Sequence, residues 1–158
     1  MGTEELKRYV RKEGTPRAII VDIDGTVAHH YNEVGEQLRG HYEYSKVLGD
    51  LPDMAIIDLV GMLDYALYKI IFVSGREDSC REDTEEWLAR YGFDKSKYKL
   101  FMRKTGDHRP DYVIKYEIFD ASIRDHYDIA FALDDRTQVV QMWRSLGIKV
   151  LQVADGNF

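Results

Sequence analysis

Five short apolar runs, at residues 17–22, 70–73, 98–102, 129–133 and 148–153, alternate along the chain with segments whose apolar residues recur at helical spacing. Each run is nearly continuous rather than alternating with polar residues, as expected of a strand buried on both faces. The segment 53–69 places Ile56, Leu59, Val60, Leu63 and Leu67 on one helical face. Helices are also expected over 83–91, stopped by Gly92, over 112–123, with Pro110 where a first turn tolerates it, and over 137–146, stopped by Gly147. Neighbouring parallel strands need long crossovers, and helices supply them. The pattern therefore predicts an α/β fold with a central, mostly parallel five-stranded sheet flanked by helices on both faces.

No linker, repeat or low-complexity block divides the chain, so residues 16–158 read as one domain behind a charged extension, 1–15, expected to form a short helix. Residues 28–50 break the alternation. They carry three glycines and little periodicity between the first strand and the first strong helix. A connection of that length reads as a small functional insert over the active face.

Open parallel sheets bind ligands beyond the carboxyl ends of their strands. Here those positions hold Asp22-Ile23-Asp24-Gly25-Thr26 after the first strand, Ser74-Gly75-Arg76 after the second and Asp134-Asp135-Arg136 after the fourth. An Asp pair at one strand end is ordinarily a cap, and Asp-Gly an ordinary turn. Three such ends in one chain point instead to a site. Carboxylates gathered at two strand ends repel one another unless a cation sits among them, and a set of hard oxygen ligands selects Mg²⁺ over zinc. Ser74, Gly75 and Arg76 add a hydroxyl, an open backbone amide and a forked cation, which suit phosphate oxygens.

Composition narrows the partners. With 22 Lys+Arg against 28 Asp+Glu the formal net charge is −6, which argues against a protein that wraps long nucleic acid. Between residues 95 and 117, however, seven Lys/Arg face three Asp/Glu, either a solvated face or a shallow groove for a strand. Cys80 is the lone cysteine, leaving no intramolecular disulfide or cysteine zinc site. The apolar runs are too short to span a membrane, and Glu, Lys and Arg alternate near the N-terminus where a secretory signal would be apolar. A soluble, cytoplasmic protein with no membrane partner is the expectation.

Asp-Ile-Asp-Gly-Thr-Val at 22–27 resembles the DxDGT[LV] signature of the haloacid dehalogenase (HAD) superfamily of phosphotransferases. Val-Ser-Gly-Arg at 73–76 is similar to its second motif, Lys115 to the lysine of the third, and Leu-Asp-Asp-Arg at 133–136 to the fourth. Within that superfamily the chain most resembles the 3′-phosphatase domains of bacteriophage polynucleotide kinase/phosphatases. The closer likeness is carried by residues 73–77, Gly106, Asp107, Arg109, residues 111–119 and 134–144, and the ending at 152–158.

The resemblance implies a Rossmann-like HAD fold and a Mg²⁺-dependent phosphatase that removes 3′-phosphates from DNA or RNA ends, or from nucleotides, as in end healing. It implies Asp22 as the nucleophile that forms an aspartyl-phosphate and Asp24 as the general acid and base, holding a proton part of the time as neighbouring acids favour. Mg²⁺ would be held by Asp22, the backbone carbonyl of Asp24, and Asp135. Ser74 and the Gly75 amide would hold the phosphoryl group, with Thr26 near the loop and Arg76 on the substrate. Lys115 would neutralise charge on Asp22 and the phosphate, Asp111 would orient the ammonium on the substrate side, and Asp134 would support the metal or Lys115. Arg39 stands as the counterpart of a substrate-binding arginine, although farther from the first motif than in the phage domains. Lys115 and Asp111, four residues apart, are otherwise a surface ion pair of little consequence.

His29 and His30 read as insert surface, and Trp87, Trp143 and the tyrosines as core or helix-face residues rather than a base-stacking platform. The GxxxxGK[ST] loop of a kinase is absent from this sequence, so a separate kinase or ligase is the implied partner. Two other readings remain open at this stage: a small-molecule phosphatase of the same superfamily, acting on nucleotides or sugar phosphates, and a non-catalytic module that binds phosphorylated ends.

Overall fold

The computed structural model describes residues 6–158. In chain order its elements are β1 (Arg17–Val21), β2 (Ala28–His29), β3 (Leu51–Pro52), α1 (Met54–Tyr65), β4 (Lys69–Glu77), α2 (Arg81–Arg90), β5 (Tyr98–Arg103), α3 (Asp111–Ile118), β6 (Asp128–Asp134), α4 (Thr137–Ser145) and β7 (Val150–Gln152). Five strands form one sheet in the order β5–β4–β1–β6–β7, and every pairing is parallel. The α/β architecture expected from the alternation is the one observed.

Alternate residues of each strand point to opposite faces, which explains why the runs are apolar throughout. Ile19, Val21, Ile70 and Phe72 face α1 and α2, where Ile57, Val60, Trp87 and Leu88 meet them. Ala18, Ile20, Ile71 and Val73 face the other side, against Val139, Val140 and Trp143 of α4 and Phe119 just beyond α3. From β1 the chain steps outward through β4 to β5, then returns past β1 to β6 and on to β7. This reversal opens a crevice above the carboxyl ends of β1 and β6, where an open sheet binds its ligand.

Three expectations are corrected. The helix expected over 1–15 does not form in residues 6–15, and residues 1–5 lie outside the described residues. Instead, the segment runs along the domain as an irregular strap. Tyr9 pairs its amide with the Leu146 carbonyl, and Arg11 forks onto Asp128 at 2.8 and 3.0 Å. The second correction is that β4 continues through Glu77, past the Val73 end read from sequence, so Ser74, Gly75 and Arg76 belong to the strand. Pairing with β5 slips between Ser74 and Glu77, leaving Gly75 and Arg76 in a bulge that turns them toward the crevice. The last concerns the helix expected to 123, which ends as a π-helical turn, Phe119–Ile123, with both its terminal residues buried.

The insert at 28–50 is ordered around a short hairpin. Its first residues pair as β2 with β3, which follows the insert directly, and a 3₁₀ helix at Tyr44–Gly49 buries Val47. Among the described residues no helix is long and apolar enough to cross a membrane.

The strap also holds the start of β6. The Tyr9 hydroxyl accepts from the Ile129 amide and donates to the Tyr127 carbonyl, both at 2.8 Å. Tyr9→Phe strands both backbone groups while keeping the ring against Phe119. We expect a loss of about 1–3 kcal/mol in urea unfolding, with an unchanged far-UV spectrum.

Candidate active site

The loop after β1 is built around one carbonyl. Ile23 is fully buried, and its oxygen accepts the amides of Thr26, Val27 and Ala28 at 3.0–3.1 Å. Gly25 closes the turn at φ +82°, and a side chain there would also collide with the Asp135 carboxylate. Asp22 and Asp24 are thereby fixed on either side of a rigid turn. The Asp22 amide continues the sheet by donating to Leu133 at 3.0 Å, which sets Asp22 beside the end of β6.

Asp22, Asp134 and Asp135 are all buried, and carboxylate oxygens of the three lie within 4.8 Å of one another. Lys115, brought in by α3 and 1% exposed, donates from Nζ to Asp22 Oδ1 at 2.7 Å and to Asp134 Oδ2 at 2.9 Å, with Asp111 Oδ2 at 3.7 Å. It is no surface ion pair. Burial raises the Asp22 carboxyl well above the ordinary carboxylate range; Asp134 and Asp135 add to the rise against the pull of Lys115. Burial also raises Asp134, against the pull of Lys115, and raises Asp135 with help from Asp134. For Lys115 burial works downward, but Asp134, Asp22 and Asp111 outweigh it and hold the ammonium firmly charged. One cation among three acids leaves unbalanced negative charge, and three hard oxygen donors suit a divalent cation.

Asp24 lies in different surroundings. Arg76 reaches its Oδ1 through Nη2 at 2.8 Å and its Oδ2 through Nε at 3.0 Å, and Arg39 Nη2 reaches Oδ1 at 3.0 Å. Burial tends to raise Asp24, but Arg76 and then Arg39 overcome it and lower the carboxyl to about 2. The neighbours that were expected to favour a proton on Asp24 are thus cations rather than acids. Asp50 completes this cluster, accepting from Arg39 Nε at 2.6 Å and from Arg76 Nη2 at 2.6 Å. Two acids and two guanidinium groups interlock with their charges matched.

Above both clusters opens a cleft of about 560 Å³ lined by Asp22, Asp24, Gly75, Arg76, Asp111 and Asp135 together with residues of the insert. Several residues expected on the substrate sit behind this surface. Thr26 is fully buried and donates to Asp22 Oδ2 at 3.0 Å, so it positions Asp22. Ser74 is fully buried too, and its Oγ accepts the Arg76 amide at 3.1 Å. Arg39, 3% exposed, is taken up by Asp24 and Asp50 and ties the insert to the β1 loop. Gly75 lines the cleft, and a side chain there would run into Asp111.

Residues not singled out in sequence complete the site. Arg103 donates from Nε to the Gly75 carbonyl at 2.8 Å and lines the cleft; it follows directly on the third apolar run, where the strand-end rule could have found it. Asp50 had no such signal, being the last residue of an aperiodic insert. His29, His30, Tyr31, His41, Tyr42 and Tyr44 all line the cleft, so the insert does cover the active face and its aromatic residues are not core.

Two outcomes follow. Asp50→Ala leaves two buried guanidinium groups sharing Asp24 alone; we expect a loss of about 3–5 kcal/mol in urea unfolding. Asp22 has a raised carboxyl in the folded chain, so in chelator its charging works against the fold as pH rises beyond the ordinary carboxylate range. Asp22→Asn should therefore melt higher than the parent at pH 8 in chelator, the gain shrinking toward pH 5, as followed by differential scanning calorimetry.

The arrangement has relatives. Residues 16–158 match the family described as the polynucleotide kinase PNKP phosphatase domain. A protein of Autographa californica nuclear polyhedrosis virus, named as a bifunctional polynucleotide kinase/RNA ligase, is 36% identical over 137 residues, covering 84% of this chain and 18% of that protein. A chain in the structure of the Pnkp1/Rnl/Hen1 RNA repair complex superposes with a TM-score of 0.85 at 39% identity, over 97% of this chain and 47% of its own. A second structure of the Pnkp1/Rnl/Hen1 complex gives 0.85 at 38% identity, over 100% and 52%. The class C acid phosphatase from Bacillus anthracis with tungstate bound shares the fold, with a TM-score of 0.58 at 17% identity over 90% of this chain and 67% of its own. The chain spans about half, or less, of the first of these relatives. With the family matched across nearly its whole length, this chain belongs to the PNKP phosphatase domains of the HAD superfamily and is a phosphoric monoester hydrolase.

Proposed function

We propose that the chain is a Mg²⁺-dependent polynucleotide 3′-phosphatase that heals nucleic-acid ends through an aspartyl-phosphate on Asp22. The observation that carries this reading is the geometry of two carboxylates at one cleft, each held by cations of its own. Asp22 is held by Lys115 on one oxygen and Thr26 on the other, while Asp24 is held by Arg76 and Arg39. An Asp22 oxygen attacks phosphorus, the bond from phosphorus to the 3′ oxygen breaks, and Asp24 protonates that oxygen as it leaves. Water then attacks the phosphorus of the aspartyl-phosphate, gives its proton to Asp24, and frees Asp22 and inorganic phosphate.

Asp24 must gain a proton for the first half of this cycle. An incoming dianionic phosphate competes for Arg76, and each hydrogen bond that Arg76 transfers to phosphate removes one that lowers the Asp24 carboxyl. Substrate arrival and proton uptake are coupled in this way. Lys115 stays charged and meets the phosphoryl oxygens as negative charge builds on them. Asp22, Asp134 and Asp135 are the side chains that would hold Mg²⁺, with the Asp24 carbonyl as a further donor; the ion supplies positive charge that lets an anionic substrate approach an anionic nucleophile.

The relatives' names, polynucleotide kinase/RNA ligase and RNA repair complex, favour RNA ends as substrate and a kinase or ligase as partner. Cys80, buried and unpaired in any disulfide, suits a reducing intracellular compartment.

The test is phosphate release, with Mg²⁺, from a 3′-phosphorylated oligoribonucleotide, its 5′-phosphorylated isomer and a 3′-mononucleotide. We expect preference for the first; preference for the 5′ isomer overturns the substrate assignment. Asp22→Asn should lower kcat by about 10³-fold or more while the variant stays folded, and full activity in that variant overturns the nucleophile.

A further inference from the structure

We propose that the insert builds a nucleobase-binding wall beside the phosphate site, so that the enzyme grips a strand end by its terminal base. The inference rests on the 3′-phosphatase reading of the same cleft and names what is recognised next to the phosphate. Tyr31, His30, His41 and Tyr42 form an unbroken chain of rings, with successive centroids 4.8, 5.6 and 4.7 Å apart. All four line the cleft that holds Asp22 and Asp24. Their planes cross at 40°, 61° and 80°, so none is consumed in a parallel stack on its neighbour.

Two of these rings are costly to leave in water. Tyr42 is 77% exposed and Tyr31 48% exposed. Exposed apolar surface gathered at the mouth of a polar site marks a contact surface. A polyol or a simple sugar phosphate would be met there by hydrogen-bonding side chains. Every nucleobase has a π-face, and stacking on aromatic rings accepts all of them with little regard to sequence. Phe158 also lines the cleft, with the Arg136 guanidinium 5.3 Å from its ring centre.

The cleft has a way out for the rest of the strand. A further compartment of about 190 Å³ shares Tyr42, Tyr44, Arg103 and Arg136 with the cleft and adds His108 and Arg109. Arg109 is matched by Asp107 at 2.9 Å and Glu117 at 2.6 Å, and Arg103 and Arg136 face Asp111 at 3.3 and 3.9 Å, so the exit carries little free positive charge. The grip therefore falls on the rings rather than on a run of phosphates, in keeping with a chain of net charge −6.

The test uses Asp22→Asn to block turnover and a short 3′-phosphorylated oligonucleotide whose terminal base is the fluorescent analogue 2-aminopurine, alongside one whose terminal nucleoside is abasic. We expect binding to quench the 2-aminopurine, and the base-bearing end to bind about 5- to 100-fold more tightly than the abasic one. Adding Tyr42→Ala should collapse that difference and the quenching, and Tyr42→Phe should restore both. Equal binding of the two ends, or a Tyr42→Ala effect of the same size on each, overturns the proposal. Failure of the phosphatase reading would show separately, as no phosphate released from the same oligonucleotide by the unsubstituted chain.

Discussion

A single buried ammonium decides how the top of this sheet can be built. Lys115 must satisfy two carboxylates that belong to different strands, Asp22 after β1 and Asp134 at the end of β6, and it can do so only if α3 crosses directly behind them. The return of the chain from β5 past β1 to β6 delivers that helix. Charges taken out of water are tolerated when paired, and the pairing here is incomplete by design: the cluster retains more negative than positive charge. The fold accepts a local penalty at the place where the proposed cation and anionic substrate would meet.

A second, separate solution serves Asp24. Its charge is matched within a four-membered cluster with Asp50, Arg39 and Arg76, and that cluster is also what fastens the insert to the β1 loop. Two carboxylates only two residues apart in sequence thus have opposite surroundings. One is pushed toward its neutral form by burial and other acids, the other toward its charged form by guanidinium groups. These directions are the reverse of those that the proposed nucleophile and general acid need, so the two roles rest on the cation and the phosphate that the site would bind.

Most of this frame was legible in the sequence because it depends on local signals. Continuous apolar runs identified the strands, and the acids at the ends of 17–22 and 129–133 are the ones that the fold gathers at the cleft. What sequence did not show has one cause. Thr26, Ser74 and Arg39 are the right residues for phosphate by type, but packing turns them inward to hold Asp22, Arg76 and Asp24. Asp50 and the insert's rings acquire meaning only through partners distant along the chain, and an aperiodic segment carries no pattern that reveals them. The N-terminal charges read as helical because Glu and Lys favour helices, whereas the hydroxyl of Tyr9 found a better place on the backbone at the start of β6.

The fastening of the insert has a kinetic meaning. Between its hairpin ends and Val47, most of what holds it down is the Arg–Asp cluster rather than apolar core. A segment held that way opens as its own cooperative unit, well below the free energy of global unfolding. Its amides should exchange with solvent as a group, at a rate set by those ionic contacts. The covering of the site is then neither a rigid wall nor a loose flap, but a latch whose fastening shares one arginine, Arg76, with the phosphate that the proposed reaction would bring.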